Sequence, residues 1–132
     1  MILIDSDVLV AHLRGLDVAT EWLLKTRRTS GSLSASVVSV AEISGGMRTA
    51  ERREVWALIS SLRIEPVDEL IARTAGEFMR RHRRSHTGIG LGDYLIAATV
   101  EVRGATLATL NVRHFPMFTG LRPPFRLPGQ NR

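Results

Sequence analysis

The sequence predicts an α/β fold: a three-layer α/β/α arrangement in which helices flank a short, mostly parallel central sheet. Three observations carry this expectation. The chain opens on an unbroken apolar run that ends in an acid, Met1-Ile2-Leu3-Ile4-Asp5, which reads as a strand buried on both faces. Short apolar runs then alternate with longer stretches of helical spacing, in the order strand, helices, strand, helices, strand, two helices, strand. At 132 residues the chain has the length of one domain with a sizeable core, and 44% hydrophobic and 23% charged residues are ordinary for a globular protein.

The elements follow in order. After the opening strand, Ser6 or Asp7 suits the cap of a short helix to about Arg14, stopped by Gly15. Asp17 to Arg28 reads as a helix with Val18, Trp22 and Leu23 on one face and Lys25, Arg27 and Arg28 in its last turn, where cations complement the helix dipole. Thr29 to Ser32 is a loop, and Leu33 to Ser36 a short strand. Ser36 or Ser39 caps a helix through Glu42 to Met47, apolar enough around Glu42 to look mostly buried. A helix over Ala50 to Leu62 carries Val55, Trp56, Ile59 and Leu62 at helical spacing, and Arg63 to Val67 is a brief strand. Asp68 caps the next helix, which runs to about Arg84 with Leu70, Ile71, Ala75, Phe78 and Met79 as its apolar stripe. Ser85 to Gly92 is a glycine-rich loop; Asp93 opens a helix, Tyr94 to Arg103, ended by Gly104. Ala105 to Ala108 is a last buried strand, followed by Thr109-Leu110-Asn111, and Phe115-Pro116 closes the pattern. We read residues 1–132 as a single domain whose proline-containing tail, flexible from about residue 123, adds one edge strand.

Composition narrows the chemistry. There is no cysteine, which excludes disulfides, cysteine-ligated zinc and thiol catalysis. The N-terminus lacks a basic leader, and no apolar stretch has the length of a membrane span, so a cytoplasmic protein is expected. Net charge is +5, and 17 of the 18 basic residues are arginine, Lys25 being the exception. Arginine's planar fork suits phosphate, and a basic chain with a local acidic pocket points to an anionic substrate handled through a metal.

That pocket is drawn from the element junctions. Asp5 ends the first strand with Asp7 two residues on; Glu42 lies on the helix after the second; Asp93 begins the helix before the last strand, and Asn111 follows that strand. Ligands of open α/β sheets bind at the carboxyl edge, where three of these junctions fall. Close carboxylates repel one another unless a cation sits between them, and hard oxygen donors suit Mg²⁺ or Mn²⁺. Taken singly, Asp93 also reads as a helix cap, Asn111 as a turn residue and Glu42 as half of an internal ion pair. The basic run Arg80, Arg81, Arg83 and Arg84, with His82 inside it and His86 beyond, either guides a phosphate backbone or simply closes a helix end.

Ile4-Asp5-Ser6-Asp7-Val8-Leu9, Val40-Ala41-Glu42-Ile43, Gly92-Asp93-Tyr94-Leu95-Ile96-Ala97-Ala98 and Ala108 to Phe115 resemble the successive motifs of PIN-domain ribonucleases, in particular the small VapC toxins of bacterial toxin–antitoxin pairs. The resemblance covers about residues 1 to 116. It implies metal-dependent RNA hydrolysis leaving a 5′-phosphate and a 3′-hydroxyl, with Asp5, Glu42 and Asp93 as acidic ligands of Mg²⁺ or Mn²⁺. Asn111 stands at the family's fourth acidic position and brings an amide in place of a charge. Ser6 and Thr109 match small hydroxyl positions that support the acids, as does Asp7, where relatives carry Asn or Asp. The resemblance also implies a cognate VapB-like antitoxin that inserts an Arg or Lys into the pocket, and a homodimer formed through the early helices.

Two other readings remain at this level. Asp5-Ser6-Asp7 also resembles the start of a haloacid-dehalogenase-type phosphatase, but Leu9 stands where that family has Thr or Val, and no acid pair follows late in the chain. A non-catalytic, basic RNA- or partner-binding module with a decayed pocket is the other alternative.

Overall fold

The computed structural model describes residues 1–129. It contains four strands, β1 (Ile2–Ile4), β2 (Ser34–Ser36), β3 (Arg63–Glu65) and β4 (Thr106–Ala108), and six α-helices. The helices are α1 (Ser6–Leu13), α2 (Asp17–Ser30), α3 (Val37–Gly46), α4 (Arg52–Ser60), α5 (Glu69–His82) and α6 (Leu91–Arg103). The strands pair in parallel in the order β3-β2-β1-β4, with Leu3 opposite Ser34 on one side and Leu107 on the other.

This order follows from burial. Leu3 and Ile4 are both fully buried but serve opposite faces, because successive side chains of a strand alternate. Leu3 and Leu107 join one core with Ile71, Ala75 and Phe78 of α5 and Ile96, Ala97 and Val100 of α6. Ile4 and Ala108 join the other, with Val8 and Leu9 of α1, Leu23 of α2, Ile43 of α3, and Val55 and Ile59 of α4. A strand with a core on each side must be apolar throughout, which is why the opening run has no polar alternation.

The chain winds from β1 outward through β2 to β3, then returns to lay β4 on β1's other side. The direction of winding therefore reverses between β1 and β4, and α1, which follows β1, lies on the opposite face of the sheet from α6, which precedes β4. Such a switch point opens a crevice at the carboxyl edge of a parallel sheet, where open α/β folds hold their ligands.

Several local expectations shift. Asp5, rather than Ser6 or Asp7, caps α1: its Oδ1 accepts the Ser6 N–H at 2.8 Å. Of the two serines considered, Ser36 caps α3, its Oγ accepting the Val38 N–H at 3.0 Å. That helix is less buried than its composition suggested, and Glu42 is exposed. The predicted loop at Thr29 is helical through Ser30, and a separate 3₁₀ turn, Thr49–Glu51, precedes α4. Leu70 is 58% exposed and does not belong to the stripe of α5. Helix α6 begins before Asp93, which is its third residue, with Gly90 as the cap. The expected edge strand is absent among the described residues; Phe125 of the tail instead packs on Trp22, ring centroids 6.2 Å apart. The end of that tail lies outside the described residues.

Away from the crevice, Glu65 at the end of β3, buried among the described residues, is held by two arginines. Arg63 lies 3.3 Å from one carboxylate oxygen and Arg103 of α6 lies 3.2 Å from the other.

Candidate active site

The residues at the switch point are held by hydrogen bonds that cross between β1 and β4. The Asp5 backbone N–H donates to the Ala108 carbonyl at 2.9 Å, extending the ladder one residue past the strands. Its side chain then bridges two elements. Oδ1 caps α1, and Oδ2 accepts the Thr109 hydroxyl at 2.7 Å. Thr109 is fully buried and also accepts the Asn111 N–H at 3.1 Å, so one hydroxyl fixes both the acid and the turn that follows β4.

Asp7 reaches the same turn. Its Oδ2 accepts the Leu110 N–H at 3.1 Å and lies 3.3 Å from the Thr109 hydroxyl. A hydroxyl has one proton, and the shorter contact to Asp5 takes it. The other oxygen of Asp7, Oδ1, is buried without a hydrogen-bond partner among the described residues.

Glu42 approaches from α3, and its Oε1 accepts the Ser6 hydroxyl at 2.6 Å. Its Oε2 lies against the first turn of α6, where a Cβ on Gly92 would stand 3.1 Å away. Asp93, next in that turn, reaches back so that its Oδ2 accepts the Gly90 N–H at 3.2 Å. The same Oδ2 lies 2.9 Å from Nδ1 of His114, and that nitrogen lies 2.9 Å from the Asn111 side-chain amide. The sequence reading did not single out His114, which follows Asn111 by three residues on a 3₁₀ turn, Val112–His114. The fully buried Phe115 beside it anchors that turn to the core.

Electrostatics single out Asp5. Burial, then the negative charge of Asp7, and more weakly that of Asp93, push its carboxyl up to about 7 from an ordinary 3.8, against the opposing hydrogen bonds from Thr109 and Ser6. Burial also raises Asp7. Among the described residues no arginine or lysine pairs with Asp5, Asp7, Glu42 or Asp93; the ring of His114 meets Asp93 as a hydrogen-bond partner. Four carboxylates gathered without a compensating cation, one with an orphaned oxygen, make a donor set suited to a hard divalent ion. Among the described residues no three such side chains close into a finished metal cage. Mg²⁺ does not require one, since it keeps much of its water and binds through one or two carboxylates plus substrate phosphate.

The basic run at the end of α5 is solvent-exposed at Arg80, Arg81, Arg83 and Arg84. Arg81 lies over the Phe78 ring at 5.8 Å, while His82 and His86 meet edge to face at 5.6 Å between ring centroids. Among the described residues none of these four arginines is in an ion pair, and the run leads through the glycine loop to Asp93.

Residues 2–116 match the sequence model of a family described as PIN domain. The chain is 64% identical over 129 residues to Ribonuclease VapC10 of Mycobacterium tuberculosis, covering 98% of this chain and 96% of that one. It is 43% identical over 125 residues to Ribonuclease VapC19 of the same organism, covering 95% of this chain and 100% of that one. Its fold matches a chain of a toxin–antitoxin complex from Klebsiella pneumoniae with a TM-score of 0.80 at 19% identity, over 96% of this chain and 100% of the other. A chain of the DNA-bound VapBC complex from Salmonella typhimurium matches with a TM-score of 0.73 at 20% identity, over 92% and 95%.

Proposed function

The chain belongs to the PIN-domain family, and from that premise we infer that it is a ribonuclease toxin of the VapC type, restrained by a VapB-like antitoxin. The single observation that carries the catalytic reading is Asp5. It is a buried carboxyl beside Asp7 and within the field of Asp93, and among the described residues no arginine or lysine pairs with it. A protein that needed this residue only for its fold would gain by making it neutral.

We further propose that the hydrolysis depends on Mg²⁺ or Mn²⁺. Asp5 and Asp93 would hold the ion, with Glu42 beside them. A divalent cation bound there would lower the pKa of a water molecule and would neutralise charge developing at phosphorus. The chain's own residues do the rest. Thr109 and Ser6 hold Asp5 and Glu42 in orientation through the 2.7 and 2.6 Å hydrogen bonds. Glu42, exposed to solvent, accepts the proton of the attacking water, since it can reach bulk water to release it. Asn111 offers an amide dipole at the rim in place of a fourth charge. Asp7 ties the first turn of α1 to the end of β4. Arg80, Arg81, Arg83 and Arg84 bind phosphates of the approaching RNA.

The antitoxin's effect follows from the same charge balance, because an arginine or lysine inserted into this pocket would satisfy the uncompensated carboxylates and displace the metal. A homodimer through the early helices and a cytoplasmic location belong to the same proposal. Among the described residues no helix is long and apolar enough to cross a membrane.

The test is incubation of purified, antitoxin-free protein with total cellular RNA in Mg²⁺, Mn²⁺ or EDTA, beside Asp5→Ala and Asp93→Asn. Discrete products that require metal and both acids are expected. Cleavage that survives EDTA or the loss of either acid would refute the metal assignment.

A further inference from the structure

Resting on the ribonuclease reading, we propose that His114 is a positioning residue for the reaction. Its Nδ1–H holds the carboxylate of Asp93 and the side-chain amide of Asn111 in one register, and so sets where a divalent cation is bound.

The geometry is specific to one atom. Nδ1 of His114 lies 2.9 Å from Asp93 Oδ2 and 2.9 Å from the Asn111 amide. A ring nitrogen carries either one N–H or one lone pair in its plane. Were it a lone pair accepting from the Asn111 amide N–H, Asp93 would present its own lone pairs to it at hydrogen-bonding distance. The arrangement that satisfies all three groups has the proton on Nδ1, forked between Asp93 Oδ2 and the carbonyl oxygen of Asn111, with that amide turned accordingly. Amide orientation is assigned from the hydrogen-bond network, so this network decides it.

The turn that carries the ring is anchored at both ends. His114 ends the 3₁₀ turn whose next residue, Phe115, is buried in the core and stacks near Phe118 at 6.5 Å between centroids. The turn begins at Asn111, whose backbone N–H is fixed by Thr109, which in turn holds Asp5. His114 therefore closes a chain of contacts: Asp5 to Thr109 to Asn111 to His114 to Asp93. Two carboxylates that approach from different elements, the end of β1 and the start of α6, are spaced by it. An outer hydrogen-bond partner of this kind orients a metal-ligating side chain and typically changes affinity or activity by roughly 10- to 100-fold when removed.

Three substitutions separate this role from a merely structural one. Asn places an amide where Nδ1 stands, Gln places one where Nε2 stands, and Phe keeps the ring without nitrogen. Mn²⁺ affinity is measured calorimetrically on the metal-free, antitoxin-free protein, with RNA cleavage and metal-free thermal unfolding alongside. His114→Phe and His114→Gln are expected to lose roughly 10- to 100-fold in Mn²⁺ affinity, and His114→Asn to retain most of it. Metal-free unfolding temperatures should change little, because the side chain is only partly buried. If His114→Phe binds Mn²⁺ and cleaves like the wild type, or if His114→Gln matches His114→Asn, the inference is overturned while the ribonuclease reading stands. If His114→Phe does not fold, the Asn–Gln comparison decides. A wild-type protein that neither binds Mn²⁺ nor cuts RNA would overturn both.

Discussion

Asp5→Asn should make the metal-free protein more stable at pH 8 while abolishing its activity. In the folded protein the Asp5 carboxyl keeps its proton up to about pH 7, whereas unfolded it loses it near 3.8. Between those values the folded state binds more protons than the unfolded one, so unfolding free energy falls as pH rises through this window. The cost is absent below about pH 4 and complete above about pH 7. At 1.36 kcal/mol for each tenfold in proton affinity, the displacement from 3.8 to about 7 corresponds to about 4 kcal/mol. Asparagine removes that charge but keeps one acceptor for the two donors, Ser6 N–H and Thr109 Oγ. The mismatched contact returns about 1–2 kcal/mol. The net gain at pH 8 is therefore about 2–3 kcal/mol, an increase of about 1 M in urea midpoint. The assay is urea unfolding in EDTA at pH 4 and pH 8, repeated at pH 8 with saturating Mg²⁺. At pH 4 the gain should vanish or turn into a small loss. Mg²⁺ should stabilise the wild type and leave the variant unchanged. A variant less stable than the wild type at pH 8, or a gain of equal size at both pH values, would refute the reasoning.

Two further outcomes are expected. Gly92→Ala should raise thermal stability by up to about 1 kcal/mol, because Gly92 lies in the first turn of α6 without a positive φ. It should nonetheless slow RNA cleavage by about threefold to tenfold, since the added Cβ at 3.1 Å displaces the Glu42 carboxylate; unchanged cleavage would contradict this placing of Glu42. Arg103→Met should destabilise by about 1–2 kcal/mol in urea unfolding, since it leaves buried Glu65 with Arg63 as its remaining arginine. Combined with Glu65→Gln the loss should be less than additive, and simple additivity would show that the two do not interact.

The fold was legible because its opening strand is buried on both faces. Leu3 and Ile4 face different cores, so neither position tolerates a polar residue, and the run stands out. Asp5 was legible for the same reason, as a charge at the end of a segment that excludes charge. Glu42, Asp93 and Asn111 were singled out as candidates by their place at junctions and by resemblance to known motifs. What was misread depended on angles between elements. The apolar residues around Glu42 suggested a buried helix, yet only Ser39 and Ile43 of α3 are buried. Asp93 read as the cap of its helix, but glycines let the helix start earlier and leave the carboxylate facing His114. His114 was missed because nothing local marks it. Its meaning arises only when the turn after β4 folds over the first turn of α6.

The parallel pairing of β1 with β4 also sets a clock on synthesis. Asp5 is made 104 positions before its hydrogen-bond partner Thr109. A nascent chain lacking Thr106–Ala108 has no crevice between β1 and β4, no hydroxyl to orient Asp5, and neither Asn111 nor His114. Contacts so distant along the chain form late in folding. A growing polypeptide therefore has no assembled site until that strand has docked.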